Sequence, residues 1–314
     1  MIRRELVLVV LLAGLLGYAW FTEPAFLTIR AQTLLGMHIW ELAILALPML
    51  MIVISGGIDL SVGSMVAFCA VTMGLLHERS APVWMLVSAS LMAGCILGLL
   101  NGWFVAKLKV HPLIVTLATL AAYRGLAEGI SGARPLSGFP ESIQAISAMK
   151  WLGLPVPGYL FLLLAILVAL TLARLVFGAW VYAIGTAEKP ALFSGIPVAR
   201  VKLMLYGFSG LCAGLAAVVL VSRNNTAKAD MAMGLELDVI TAVVLGGAKI
   251  EGGEGNVLGL ILGVLLIHET RQFVSWHWKQ NELNLIVVGG LLIGAVLLQR
   301  LLSSRNRVVS AQSV

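Results

Sequence analysis

The chain has 314 residues, of which 60% are hydrophobic types and 11% are charged, with a formal net charge of +6. A soluble domain carries about 25% charged residues. Too little polar surface is present here for a soluble enzyme, a nucleic-acid-binding domain or a disulfide scaffold, and the chain is too apolar for disorder.

An all-α polytopic membrane protein remains. A span needs about 20 apolar residues, and ten apolar segments can be drawn: 6–21, 37–55, 60–77, 83–106, 112–131, 157–174, 203–222, 237–250, 256–275 and 282–299. Arg3 and Arg4 precede the first segment. Its apolar run is long for a secretory signal and lacks a small-residue cleavage site, so it reads as a retained span. Ten spans put both termini on one side. Twelve of the 21 Lys and Arg residues then fall on that side and eight opposite, with Arg124 inside a span. Basic residues gather in cytoplasmic loops, which favours cytoplasmic N- and C-termini. The basic excess thus reads as orienting charge, with no nucleic-acid partner, in one transmembrane domain over 1–314.

Several features stand out in chain order. Glu41 is expected near the outer interface. Residues 55–64 interrupt apolar sequence with three glycines, an Asp and three serines, which predicts a broken helix or tight hairpin. Asp59 and Ser61 suit the cap of the helix that follows. Gly94, Gly98 and Gly102 recur every four residues, and Gly210/Gly214, Gly259/Gly263 and Gly290/Gly294 repeat the spacing. Small residues let helix backbones approach in a bilayer, in static packing or in gliding. Asn101, Thr116 and Thr119 can satisfy helix contacts or line a polar path. Arg124 and Glu128, four apart, are placed to pair on one helix face. The external connection 133–156 has an amphipathic middle that predicts a short surface helix. The longest cytoplasmic connection is 175–202, where Pro190 suits a first helical turn. Glu236 and Asp238 open the eighth segment, where acidic groups complement a helix N-terminus.

Catalytic and metal sites are not expected. His268-Glu269 begins like a zinc motif, but position 272 is Gln. Cys69, Cys95 and Cys212 lie inside apolar runs and read as free thiols. No G-x-x-x-x-G-K-[ST] occurs, so any ATP chemistry must come from another chain.

The run Ser55-Gly56-Gly57-Ile58-Asp59-Leu60-Ser61-Val62-Gly63-Ser64 closely resembles a signature of the permease subunits of ribose-type sugar ABC importers. Further segments are similar in the same order: Lys109 to Leu120, Tyr123-Arg124-Gly125-Leu126, Phe177-Gly178 through Gly185, Ser194 to Lys202, Gly234 to Gly247 and Gly252 to Gly259. The resemblance covers about residues 40–300. The resemblance implies a vitamin B12-importer-like permease of about ten helices in a bacterial inner membrane. It implies a second permease chain, identical or related. It also implies an ATP-binding subunit that supplies ATP and Mg on the cytoplasmic side, and a periplasmic solute-binding protein.

On this resemblance, segment 175–202 couples to the ATPase through Gly185, Ser194, Gly195, Ile196, Pro197, Arg200 and Lys202. Where many relatives have Asn after Gly185, this chain has Thr186-Ala187-Glu188-Lys189-Pro190. Gly56, Gly57, Asp59, Ser61, Ser64, Asn101, Thr116 and Thr119 are candidates for a hinge or the translocation path. Glu236 and Asp238 are candidates for a helix cap or a contact with the binding protein. The implied solute is a monosaccharide or related polyol. Residues 268–278 depart from the ribose-like pattern and leave rhamnose open. Two other readings stand beside this one, a secondary active carrier and a branched-chain amino-acid-type ABC permease. The run Gly56 to Ser61 points to the sugar branch.

Overall fold

Long apolar runs with few breakers leave the backbone no partner in a bilayer except itself, so they fold as helices. A computed structural model describes residues 4–278, 283–284, 286–294 and 297. Helix α1 (Arg4–Thr22) leads through a 3-10 turn (Pro24–Leu27) to α2 (Ile29–Leu35), a second 3-10 turn (Gly36–His38) and α3 (Trp40–Ile54). Helices α4 (Val62–Glu78), α5 (Val83–Ala106) and α6 (Pro112–Ser131) follow. Strand β1 (Leu136–Ser137), helix α7 (Glu141–Ala148) and the hairpin β2 (Lys150–Trp151) with β3 (Leu154–Pro155) make up the first long connection. Then come α8 (Val156–Arg174), α9 (Val176–Thr186), α10 (Glu188–Phe193) and α11 (Val198–Asn224). Strand β4 (Thr226–Ala227), α12 (Leu235–Leu245) and α13 (Val257–Trp278) complete the named elements. β1 pairs antiparallel with β4, Leu136 opposite Ala227, which fixes α7 and the end of α11 at one face of the helical layer. Helix α10 lies at the other.

Six helices are long and apolar enough to cross a bilayer: α1, α5, α6, α8, α11 and α13. Helices α2 and α3 make a seventh span if taken together, although they bend by 49°. Three of the ten expected segments fall short of a full span on their own. Segment 37–55 is the inner part of the bent pair. Segment 60–77 is α4, of 17 residues. Segment 237–250 is the short α12, whose 11 residues rise about 16 Å. The tenth segment is helical at 283–284 and 286–294; much of it, with Lys279, Arg300, Arg305 and Arg307, lies outside the described residues.

Helix α11 is the spine, with 78% of its apolar window buried, against 28% or less for α1, α5, α6 and α8. Those four present Leu-rich faces, such as Leu162, Leu163, Ile166 and Leu170 of α8, suited to lipid. The spine is seated by glycine. A Cβ on Gly94 or Gly98 of α5 would overlap the carbonyl of Gly210 or Tyr206 on α11, and one on Gly214 would lie 2.6 Å from the Ser90 carbonyl. The Ser90 hydroxyl donates to the Gly214 carbonyl at 2.9 Å. Gly259 and Gly263 seat α13 on α12 in the same way, whereas Gly290 and Gly294 meet nothing within 4 Å among the described residues.

The expected surface helix is α7. It is docked rather than loose, since Ile143 is fully buried and the Ser147 hydroxyl reaches the Val219 carbonyl of α11 at 3.2 Å. Cys69, Cys95 and Cys212 are free thiols.

Candidate functional site

Buried charge in a bilayer must be paired or hydrogen-bonded, so the first question is what holds each polar group. Asp59 lies in the non-helical turn between α3 and α4 and is fully buried. Its Oδ1 accepts from the Ser61 backbone N–H (3.0 Å) and hydroxyl (2.6 Å), and its Oδ2 accepts from the Ser209 hydroxyl of α11 (3.0 Å). Asn101 of α5 donates to the Ser61 hydroxyl (2.7 Å) and accepts from the Tyr123 hydroxyl of α6 (3.0 Å). The Ile58 carbonyl lies 3.3 Å from the Tyr206 hydroxyl and 3.4 Å from Thr116 Oγ1. The Ser64 hydroxyl donates to the Ser61 carbonyl at 2.8 Å. These groups form a closed knot that ties the α3–α4 turn to three helices. Thr119 stays outside it, bonding the Val115 carbonyl of its own helix. Ser61 sits at the start of α4 but makes no side-chain cap bond; its hydroxyl serves Asp59 instead.

Arg124 departs from the expected pairing with Glu128. Its Nη1 donates to the carbonyls of Ala229 (2.5 Å) and Met231 (2.7 Å). Those carbonyls belong to the strap 228–234, the irregular segment between β4 and α12. Ala232 and Gly234 in it have positive φ, +56° and +84°.

The depth of the strap follows from its neighbours. Helix α12 runs antiparallel to α13, with Gly246 against Gly259 and Asp238 ion-paired to Arg271. Arg271 lies about 21 Å along a helix of about 33 Å. Helix α12 therefore begins well inside the layer, and the strap descends from β4 to meet it. Its lower end meets the first turn of α4, where a Cβ on Gly63 would overlap the Glu236 carboxylate and lie 2.6 Å from the Ala232 carbonyl. Two helix starts, α4 and α12, thus face each other within the helical layer. Met233 (69% exposed) and Leu237 (43%) leave one side of this region open. Irregular backbone at such depth requires burial in protein or a water-filled cavity.

Glu236 and Asp238 do occupy the first turn of α12, as expected, but they are not at the outer end of a span. The Gly234 N–H donates to Glu236 Oε1 at 3.2 Å, and Asp238 is committed to Arg271. Glu41, in the first turn of α3, is buried in protein and pairs with Arg223 at the end of α11 at 2.9 Å. Arg271 is held within α13 by Asp238 instead of standing in an external loop.

The opposite face carries segment 175–202. It is two helices, α9 packed inward through Val181 and Ile184, and the short α10 beyond it. Pro190 is the third residue of α10, within its first turn rather than at its start. Leu192 and Phe193 of α10 are 54% and 89% exposed. Ser194, Gly195, Ile196 and Pro197 form the turn into α11. Gly195 has φ +85° and nothing within 4 Å of a Cβ. Lys202 is paired with Glu188 at 2.7 Å, which braces α10 against α11. Arg200 is exposed and has no ion pair among the described residues. Gly185 and Gly56 lie instead at an inner backbone junction with Gly252 and Gly253. Gly57 is packed under Tyr206.

Sequence reasoning missed the partners of Arg124, Glu41 and Asp238. Each is an ionisable residue inside an apolar run, which marks it as costly and in need of a partner, but the partner lies 105, 182 and 33 residues away. No cluster of three or more His, Cys, Asp or Glu able to hold a metal occurs among the described residues.

Comparison with known proteins places this geometry in a family. Residues 35–296 match the family described as "Branched-chain amino acid transport system / permease component". The chain is 36% identical over 261 residues to the autoinducer 2 import system permease protein LsrD of Photorhabdus luminescens, covering 81% of this chain and 78% of that one. The protein of the same name from Photorhabdus laumondii is 35% identical over 280 residues (87% and 84%). The one from Escherichia coli K12 is 36% identical over 261 residues (81% and 79%). No solved structure matches. The chain belongs to this family of ABC-importer permeases, in agreement with the ribose-type sugar importer motifs of its sequence, and is a multi-pass protein of the bacterial inner membrane.

Proposed function

We propose that this chain forms half of the membrane path of an ATP-driven importer for a small, neutral, polyhydroxylated solute of the monosaccharide class. The observation that carries the reading is the strap 228–234, irregular backbone at membrane depth, held by Arg124 and open on one side. A second permease chain, identical or related, closes that side. The path then runs past the strap and the facing starts of α4 and α12. The chain has ten membrane segments in a vitamin B12-importer-like arrangement, counting α4 and α12 as partial crossings, with both termini in the cytoplasm. The knot around Asp59, Ser61, Ser64, Asn101 and Thr116 serves as the fixed base of the hinge, because its groups are buried and already bonded.

A periplasmic binding protein delivers the solute to the α7 face. A separate ATPase subunit, with its ATP and Mg, docks on the α10 face, where Phe193 and Leu192 project. This chain hydrolyses nothing itself. The names of the relatives make autoinducer 2 the first solute to test, ahead of rhamnose.

The test is purification from native membranes in mild detergent, followed by reconstitution in proteoliposomes with the copurifying ATPase and the binding protein. ATP-dependent uptake of labelled autoinducer 2, rhamnose, ribose and leucine is compared. Uptake of the first, with leucine excluded, is the expected result. A chain that returns alone and transports without ATP is a secondary carrier, and the proposal fails.

A further inference from the structure

Three segments meet at the α10 face without side chains between them. At the end of α9, a Cβ on Gly185 would overlap the Ile54 carbonyl at the end of α3 and lie 2.6 Å from the Gly253 backbone nitrogen. The Gly253 N–H donates to that same Ile54 carbonyl at 2.8 Å. A Cβ on Gly252 would lie 2.8 Å from the Gly185 carbonyl and 3.0 Å from the Gly56 nitrogen. Gly56, Gly252 and Gly253 all have positive φ, +79°, +93° and +79°, which only glycine adopts without strain. One side chain spans the contact from outside, the Tyr182 hydroxyl of α9 donating to the Gly255 carbonyl at 2.7 Å.

The connectivity of these segments gives the junction its consequence. Gly56 opens the turn that leads to α4. Gly252 and Gly253 lie in the loop that leaves α12. Helices α4 and α12 are the two whose first turns face each other at the strap, at Gly63 and Glu236. The junction therefore joins α9, which precedes α10, to the roots of both helices that flank the open region. Side-chain contacts have rotamers that absorb a displacement. A backbone-to-backbone contact has none, and a close-packed interior transmits the displacement instead. Gly195, by contrast, meets nothing within 4 Å and only shapes a turn.

We propose that Gly185 and Tyr182 are positioning residues of a relay. They hold the end of α9 to the α3–α4 and α12–α13 loops, so that a displacement of α10 by the ATPase moves α4 and α12 together and opens or closes the region between them. This rests on the importer reading above. It adds the point of transmission, and it separates Gly185 from the docking residues of the same segment.

The experiment uses the reconstituted complex of permease, ATPase and loaded binding protein. Basal ATP hydrolysis, hydrolysis stimulated by the loaded binding protein, uptake, and ATPase copurification are read for Tyr182→Phe, Gly185→Ala and the control Gly129→Ala, whose Cβ meets nothing. Tyr182→Phe is expected to keep copurification and basal hydrolysis while stimulated hydrolysis and uptake fall about tenfold, the weight of one hydrogen bond. Gly185→Ala is expected to abolish both coupled activities with the ATPase still bound, and Gly129→Ala to match wild type. Coupled activity within about twofold of wild type in both junction variants overturns the relay. So does a loss that merely follows reduced copurification, which is a docking or folding role. A wild-type complex without ATP-driven uptake fails differently, and there the importer reading falls and takes the relay with it.

Discussion

Replacing Arg124 by Met removes the guanidinium that holds the strap and leaves a chain of similar length. Two carbonyls, of Ala229 and Met231, lose a charged donor. A hydrogen bond to a charged group contributes about 1.5–3 kcal/mol. The two share one guanidinium nitrogen and do not add in full, so the docked strap loses about 3 kcal/mol. At 1.4 kcal/mol per factor of ten, the fraction of time that the strap is undocked rises by roughly 100-fold. Ala229 reports this directly, because it is 6% exposed when docked. In a chain cleared of Cys69, Cys95 and Cys212, the variant Ala229→Cys is labelled with a membrane-impermeant maleimide in proteoliposomes. Labelling through rare undocking scales with the undocked fraction. Adding Arg124→Met is expected to raise the rate at least tenfold and to impair uptake. Arg124→Lys, a point charge able to hold one carbonyl, should fall between. Equal labelling rates with and without Arg124 would falsify the account of the strap.

Three further outcomes follow from the packing. Gly98→Ala drives a methyl into the Tyr206 carbonyl and should lower stability by about 1–3 kcal/mol, whereas Gly125→Ala, with open space, should be neutral or stabilising by about 0.5–1 kcal/mol; thermal melting in detergent compares them. Asp59→Asn replaces one acceptor oxygen by an NH2 donor, so that either Ser209 or Ser61 loses its acceptor, and a loss of about 1.5–3 kcal/mol is expected, read from the same melts. Glu41→Met and Arg223→Met should each cost about 3–5 kcal/mol by stranding a buried charge, while the double variant recovers most of the loss; additive single losses in that cycle would mean that the two side chains do not interact.

The sequence made some of this legible because local rules decided it. The long spans α5, α6, α8 and α11 are uninterrupted apolar runs, and the four-residue glycine spacing of α5 does mark its seam with α11. The glycines, Asp and serines at 55–64 do mark a break. The half-length of α12 was not legible. Apolar sequence runs on through Val243 to Ala248, but the helix ends at Leu245, where Gly246 packs against Gly259 of α13 and Gly247 takes φ +92°. The strap was not legible either. Nothing between Lys228 and Gly234 sets its depth; Arg124 does, from another helix. The spacing rule for Arg124 and Glu128 considered one helix and so chose the wrong partner, because two carbonyls on a distant segment hold the guanidinium instead.

Several charges of the helical layer are consumed by its own structure. Asp238 is held by Arg271, Glu41 by Arg223, and Arg124 by the strap carbonyls. Asp59 accepts from two serines. The carboxylate at the meeting of α4 and α12 is Glu236, whose Oε1 takes the Gly234 N–H while Oε2 is buried without a partner. The strap region therefore presents backbone and methionine at its open side, and no converging set of free donors among the described residues. A tight site would need several such groups aimed at the solute. On the proposed reading, a path without them releases what it receives, and affinity resides in the binding protein while direction comes from the ATPase. Ion-coupled carriers put ionisable side chains of several helices to use along the route. Here those side chains fasten helices and strap to one another, which suits a passage whose opening is imposed from outside the membrane.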